Sequence, residues 1–222
     1  MRAAGAILRK DLLVELRTLE TVPAMALFAV TVFVVFHFAL DVATLSGQLA
    51  AGVLTATLLF AAMLGINRLF VAERDQGGFD AFLLAPVDRS AMLLAKATAL
   101  FVFLVVLELV AVPAFTLLLL ARAIVPLLGS LALVLALTNV AFAVIGTLVS
   151  AIAVQGRARD LVGPLVALPL LLPALIATAR AIGPVLALHG AAPPGRWLAV
   201  LALYDLVNVL VAYAVFDFLL ED

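Results

Sequence analysis

Residues 91–120 read AMLLAKATALFVFLVVLELVAVPAFTLLLL, thirty residues carrying only two charges, Lys96 and Glu108. A helix rises about 1.5 Å per residue and the hydrocarbon core of a bilayer is about 30 Å thick, so about 20 consecutive apolar residues cross it. Five further stretches meet that measure: Val22–Leu40, Gln48–Phe70, Pro126–Val154, Leu161–Ile182 and Trp197–Leu220. With residues 91–120 (Ala91–Leu120) they predict six spans in a 222-residue chain. The chain is 67% hydrophobic and 12% charged, with a mean hydropathy of +1.33. A soluble domain of this size could not cover so much apolar side chain with so little polar surface. The fold class is therefore an all-α integral membrane protein, read as one domain over residues 1–222.

The basic residues orient the spans. With the N-terminus in the cytoplasm, one side receives Arg2, Arg9, Lys10, Arg17, Arg68, Arg74, Arg89, Lys96, Arg157 and Arg159, and the other only Arg122, Arg180 and Arg196. Short loops rich in Lys and Arg stay cytoplasmic, so both termini are expected there. Trp197, at the entry of the sixth span, is placed as an interfacial anchor. The N-terminal stretch Met1–Glu20 carries Asp11, Glu15 and Glu20, and the first apolar run exceeds a signal core, so it is expected to be retained. Within it Leu8, Leu12, Leu16 and Leu19 share one helical stripe while Ile7 and Val14 fall off it. This predicts an interfacial helix lying on the cytoplasmic leaflet. Span five contains Pro164, Pro169 and Pro173, which remove backbone donors and kink a helix. Pro126 is expected to open span four, and the segment 183–195, broken by prolines and glycines, reads as a short re-entrant turn.

The connection between spans two and three runs NRLFVAERDQGGFDAFLLAPVDRS over residues 67–90. Gly77-Gly78 breaks the helix that leaves the membrane. Phe79, Phe82 and Leu83 then recur at helical spacing, with Asp80 on another face and Pro86 as the stop. A short stiff amphipathic helix of this kind suits docking of a cytosolic partner.

Several chemistries are excluded. There is no cysteine, hence no disulfide and no thiolate. No G-x-x-x-x-G-K-[ST] occurs, so nucleotide phosphates are not held by a P-loop on this chain. No HExxH and no G-x-S-x-G appears either, and no enzymatic activity is expected of the chain itself. Polar residues inside spans are costly and face other protein or a pathway. Glu108, Asn139, Asp205 and Asn208 are such residues, read either as lining a translocation path or as hydrogen-bonding neighbouring helices. His37 and His189 fall near the outer surface, where each is either structural or a ligand to haem iron. No metal site and no directly bound cofactor is expected.

Arg68-Leu-Phe, Glu73, Gly77, Asp80, Leu83-Leu84-Ala-Pro86 and Leu94-Ala-Lys96 resemble the CcmB family, the membrane permease of the cytochrome c maturation haem exporter. Leu168-Pro-Leu with Pro173 is similar to the fifth span of that family. The resemblance implies an ATP-binding cassette subunit docked on the 73–88 loop, through Glu73, Gly77, Phe79, Asp80, Phe82, Leu83 and Pro86. It further implies ATP hydrolysed by that partner, haem as the cargo, a haem-handling membrane partner and a periplasmic haem chaperone, in a bacterial inner membrane. A second copy of the chain is expected to complete the pathway, and nucleic acid is not an expected partner. Other readings of the residues are a type-2 ABC permease for lipid, drug or polymer, an ATP-independent assembly protein, and a proton-coupled carrier using Glu108 and Asp205.

Overall fold

A computed structural model describes residues 2–40, 44–70, 89–120, 125–155 and 159–219. Among them seven α-helices are seen: α1 (Arg2–Thr18), α2 (Thr21–Ala39), α3 (Gly47–Arg68), α4 (Arg89–Leu119), α5 (Leu128–Gln155), α6 (Arg159–Val185) and α7 (Gly195–Leu219). The last six are each long and apolar enough to cross a membrane. Among the described residues there is no β-strand beyond one isolated bridge, Leu45 to Leu120. The amphipathic docking helix expected between spans two and three lies at 71–88, outside the described residues.

The span limits follow the apolar runs to within a few residues, with two physical exceptions. Pro126 does not open α5; it sits in a 3₁₀ turn, Val125–Leu127, and the α-helix begins at Leu128. The fifth span also runs on to Val185, and the segment after it forms a closed turn, tied by Ala191 N–H donating to the Pro184 carbonyl at 2.9 Å. Its Leu186 is buried and holds the Gly47 N–H through its carbonyl at 2.9 Å. Gly47 has φ of +60°, a conformation that favours glycine, where the chain swings into α3.

The spans alternate in direction, and hydrogen bonds mark the two ends of the bundle. At the distal end Leu45 N–H donates to the Leu119 carbonyl at 2.6 Å, and Gln48 Nε2 to the Ala179 carbonyl at 3.0 Å. At the terminal end, where α1 and the last turn of α7 lie, Ser150 Oγ donates to the Ile66 carbonyl at 2.9 Å.

Helix composition decides position. Thirteen residues of α3 are buried, many of them Ala, Gly or Thr, and α3 packs on α2, α4, α5 and α6. Small side chains let backbones approach, which is how membrane helices gain contact where lipid is as apolar as the protein. Gly146 of α5 shows the limit: a Cβ there would lie 2.6 Å from Ile66 Cγ1 and 2.9 Å from Leu100 Cδ2. By contrast α2 buries only Met25, Ala29 and Phe33, one i, i+4 stripe, and turns large aliphatic side chains outward. Phe33 meets Phe115 of α4 edge to face, centroids 5.4 Å apart. The helix α6 runs unbroken through Pro164, Pro169 and Pro173. A proline loosens the preceding turn's carbonyls, and the Tyr204 hydroxyl of α7 donates to the Leu170 carbonyl, three residues before Pro173.

The helix α1 differs from the amphipathic reading. Its buried face is Ala4, Ile7 and Glu15, with Leu8 and Asp11 half-buried, and it packs along α4. Leu13, Leu16 and Leu19 point outward instead. Ile7, which falls off the leucine stripe, is the residue that docks, in a small cluster with Ala4 and Ala95.

Candidate functional site

Two polar regions interrupt the apolar bundle. The first is at the terminal end, around Lys96 of α4. Its side chain is 1% exposed, a state a lysine keeps only when its ammonium is satisfied. Nζ donates to the Leu69 carbonyl at 3.0 Å and lies 3.0 Å from Asp11 Oδ2 of α1. The Asp11 contact has the geometry of an ion pair rather than a directed hydrogen bond. The ammonium also sits 5.1 Å from the centroid of the Phe70 ring. Four residues along α1, Glu15 Oε1 accepts from the N–H groups of Thr21 and Val22 at 2.9 and 2.7 Å. Those are orphan donors of the first turn of α2, so a carboxylate from the preceding helix caps it. Arg68 and Glu20 approach at 3.6 Å in a solvent-exposed pair. Leu69 and Phe70 are the last described residues before the connection 71–88, and Arg89 is the first after it. The expected docking residues Glu73, Gly77, Phe79, Asp80, Phe82, Leu83 and Pro86 lie inside that connection and so outside the described residues.

The second region is a polar layer in the distal half. Glu108, Asn139, Thr138 and Asp205 each stand ten or eleven residues from the distal end of their helix, about 15–17 Å at 1.5 Å per residue. Glu108 and Asn139 meet across α4 and α5, where they line a cavity of about 300 Å³ walled by Val112, Leu131 and Leu135. The Asn139 amide approaches the Glu108 carboxyl, but its nitrogen closes no hydrogen bond of good geometry. The rim is open to the outside of the bundle, with Leu109 and Leu128 exposed. On the other flank of α5, Thr138 and Thr178 of α6 share a hydrogen bond of 2.7 Å, buried between the helices. Asp205 lies on the inner stripe of α7 with Leu201 and Ala212, 6% exposed, and neither of its oxygens has a hydrogen-bond partner among the described residues. Asn208 does not join it; its Nδ2 donates to the Tyr204 carbonyl one turn back, at 2.8 Å.

The histidines are not brought together. His37 Nδ1 contacts the Leu118 carbonyl at 2.6 Å, bracing α2 against α4 at the distal end, and its ring packs edge on to Phe38. His189 is exposed in the turn between α6 and α7. Among the described residues no three His, Asp or Glu side chains are grouped as metal ligands. A further groove of about 380 Å³ at the terminal end, between α1, α4, α5 and α7, is almost wholly apolar.

Sequence reading alone passed over the partners of several polar residues. Lys96 was legible as a cation inside an apolar run, but the groups it meets belong to α1 and to the end of α3. Tyr204, Gln48 and the Thr138–Thr178 pair are polar residues of apolar spans whose partners only the packing reveals.

The CcmB protein family matches residues 2–218. The "Heme exporter protein B" of Bradyrhizobium diazoefficiens is 31% identical over 178 residues, covering 79% of each chain. That of Rhodobacter capsulatus is 33% identical over 129 residues, 58% of each chain. With the match reaching from the first turn of α1 to the last of α7, the chain belongs to the CcmB family.

Proposed function

We propose that this chain is the membrane permease of an ABC-type haem exporter acting in c-type cytochrome biogenesis, driven by ATP hydrolysis on a separate subunit. The observation that carries the reading is the family match across residues 2–218, with relatives named heme exporter protein B. The sequence supports the division of labour, since it holds six spans and no phosphate-binding loop. On this reading the terminal end faces the cytoplasm of a bacterial inner membrane and the 71–88 connection receives the ATPase. A second copy of the chain supplies the facing wall of the pathway, and haem is released to a haem-handling membrane protein and a periplasmic chaperone. Closure of the ATPase pair pushes on the connection, and the spans rock between states open to either side. The chain performs no chemistry of its own and serves as the transport subunit.

The test is co-purification with the ATP-binding partner at matched membrane levels. Burying one aromatic side chain at an interface is commonly worth about 2 kcal/mol or more, and about 1.4 kcal/mol is tenfold in affinity. Phe82→Asp is expected to weaken assembly by roughly 30-fold or more, and Asp80→Lys to do so by reversing a charge that faces basic groups. Undiminished recovery of the ATPase with both variants overturns docking at this connection.

A second reading, a proton-coupled carrier, has one observation in its favour. Asp205 is a buried membrane carboxyl without a hydrogen-bond partner among the described residues, and Glu108 opens to a cavity.

A further inference from the structure

The helix α1 carries an arrangement that a membrane-surface anchor does not need. Such a helix turns its apolar side to lipid and leaves its charges in water. Here the buried face carries two carboxylates, each engaged with another element. Asp11 reaches the buried Lys96 ammonium of α4, and Glu15 holds the first turn of α2. The same ammonium takes the Leu69 carbonyl and faces the Phe70 ring, the point where α3 gives way to the 71–88 connection. Lys96 itself stands seven residues after Arg89, where that connection rejoins the bundle. One side chain of α4 therefore ties the start of the connection to α1, and α1 is tied onward to α2. Alongside, Ala4, Ile7 and Ala95 form an apolar cluster that presses α1 on α4.

We propose that Lys96 is a positioning residue for energy coupling: its ammonium makes α1, the root of the 71–88 connection and α4 one rigid body. A displacement delivered to the connection then moves α4 and α2 together, instead of being lost in bending at Phe70 or in sliding of α1. A cation is needed for this because a single group must satisfy a carboxylate, a carbonyl and an aromatic face from different helices at once. The inference rests on the reading that a partner ATPase drives the chain, and its test separates the two.

The experiment uses the intact complex in lipid vesicles and two readouts: ATP hydrolysis, and the nucleotide-dependent change in maleimide labelling of Ser46→Cys at the distal end. The naturally cysteine-free chain makes that label unique. In Lys96→Met, hydrolysis and co-purification are expected to persist while the distal response falls by roughly tenfold, the scale of an ordinary coupling term. Lys96→Arg, which keeps the charge and several donors, should retain most of the response. Asp11→Asn, isosteric and less disruptive, should lower it as well, so the proposal stays testable should Lys96→Met insert poorly. A disulfide between Ile7→Cys and Ala95→Cys, closed before labelling, should leave the response intact, since α1 and α4 are expected to move as one. An unchanged distal response in Lys96→Met and Asp11→Asn overturns the proposal, and so does its loss on closing the disulfide. Should the unmodified complex show neither associated ATPase nor a distal response, it is the docking reading that fails.

Discussion

Gly146 offers the sharpest quantitative test of how α3, α4 and α5 fit together. A Cβ at this position would stand 2.6 and 2.8 Å from two carbons of Ile66 and 2.9 Å from Leu100 Cδ2. Carbon atoms pack best at about 3.5–4.0 Å, so the overlap is about 1 Å on two neighbouring helices. Ile66 and Leu100 are fully buried and hemmed in, so neither can swing aside. Overpacking of this kind costs about 1–3 kcal/mol. One turn along α5, the Ser150 hydroxyl holds the Ile66 carbonyl at 2.9 Å, and forcing the helices apart weakens that bond by about 1 kcal/mol. Gly146→Ala should therefore cost about 2–4 kcal/mol, against an intrinsic helix preference that would reward alanine by about 1 kcal/mol elsewhere. Two controls bracket it. Gly52→Ala meets nothing within 4 Å and should be neutral or better. Gly65→Ala meets the flexible Met25 thioether at 3.0 Å and should fall between. Thermal unfolding of the detergent-purified chain, followed by Trp197 fluorescence, should show a loss of roughly 5–15 °C for Gly146→Ala. A midpoint equal to that of Gly52→Ala would refute the packing argument.

Two other outcomes are expected. Single cysteines at Ser46 and Ala192 should react with an impermeant reagent applied from outside, and one at Gly78 should not; labelling of Gly78 would reverse the orientation. Glu108→Gln and Asp205→Asn should leave ATP hydrolysis and assembly largely intact, because an ATP-driven exporter needs no titrating membrane carboxyl. Complete loss of transport in either variant, with hydrolysis preserved, would favour the carrier reading.

The spans were legible in the sequence because the bilayer demands one property, apolarity over a fixed length, that composition displays directly. Their packing was not, since it depends on which face of each helix finds a partner. The helix α1 shows why. Its leucines recur at helical spacing and suggest a greasy face, yet Asp11 and Glu15 turn inward because Lys96 and the start of α2 offer them more than water does. That exchange is invisible until α4 and α2 are beside α1. Glu108 and Asn139 were legible as costly membrane residues, and the structure adds that they meet across one cavity. Asp205 and Asn208 share a helix face by spacing but have different fates, because Asn208 can satisfy itself on the Tyr204 carbonyl of its own helix and a carboxylate cannot. His37 read more readily as a structural residue than as a ligand, and its Nδ1 contacts the Leu118 carbonyl.

The two ends of the bundle are held by different forces, and the difference bears on how such a molecule can move. Among the described residues the distal end is tied by neutral groups, the Leu45 and Gly47 N–H groups and Gln48 Nε2, each against a backbone carbonyl. Each is worth about 0.5–1.5 kcal/mol, and water can replace it if the helices part. At the terminal end the ties include Lys96 with Asp11 and Glu15 with the start of α2. Breaking a buried pair of charges leaves an uncompensated ion and costs about 3–5 kcal/mol. Helices joined this way pivot as a unit before they separate. On the proposed reading, a push at the 71–88 connection is spent at the distal end, where α3 meets α6 through the Gln48 bond. On that reading the charged end serves as the fulcrum.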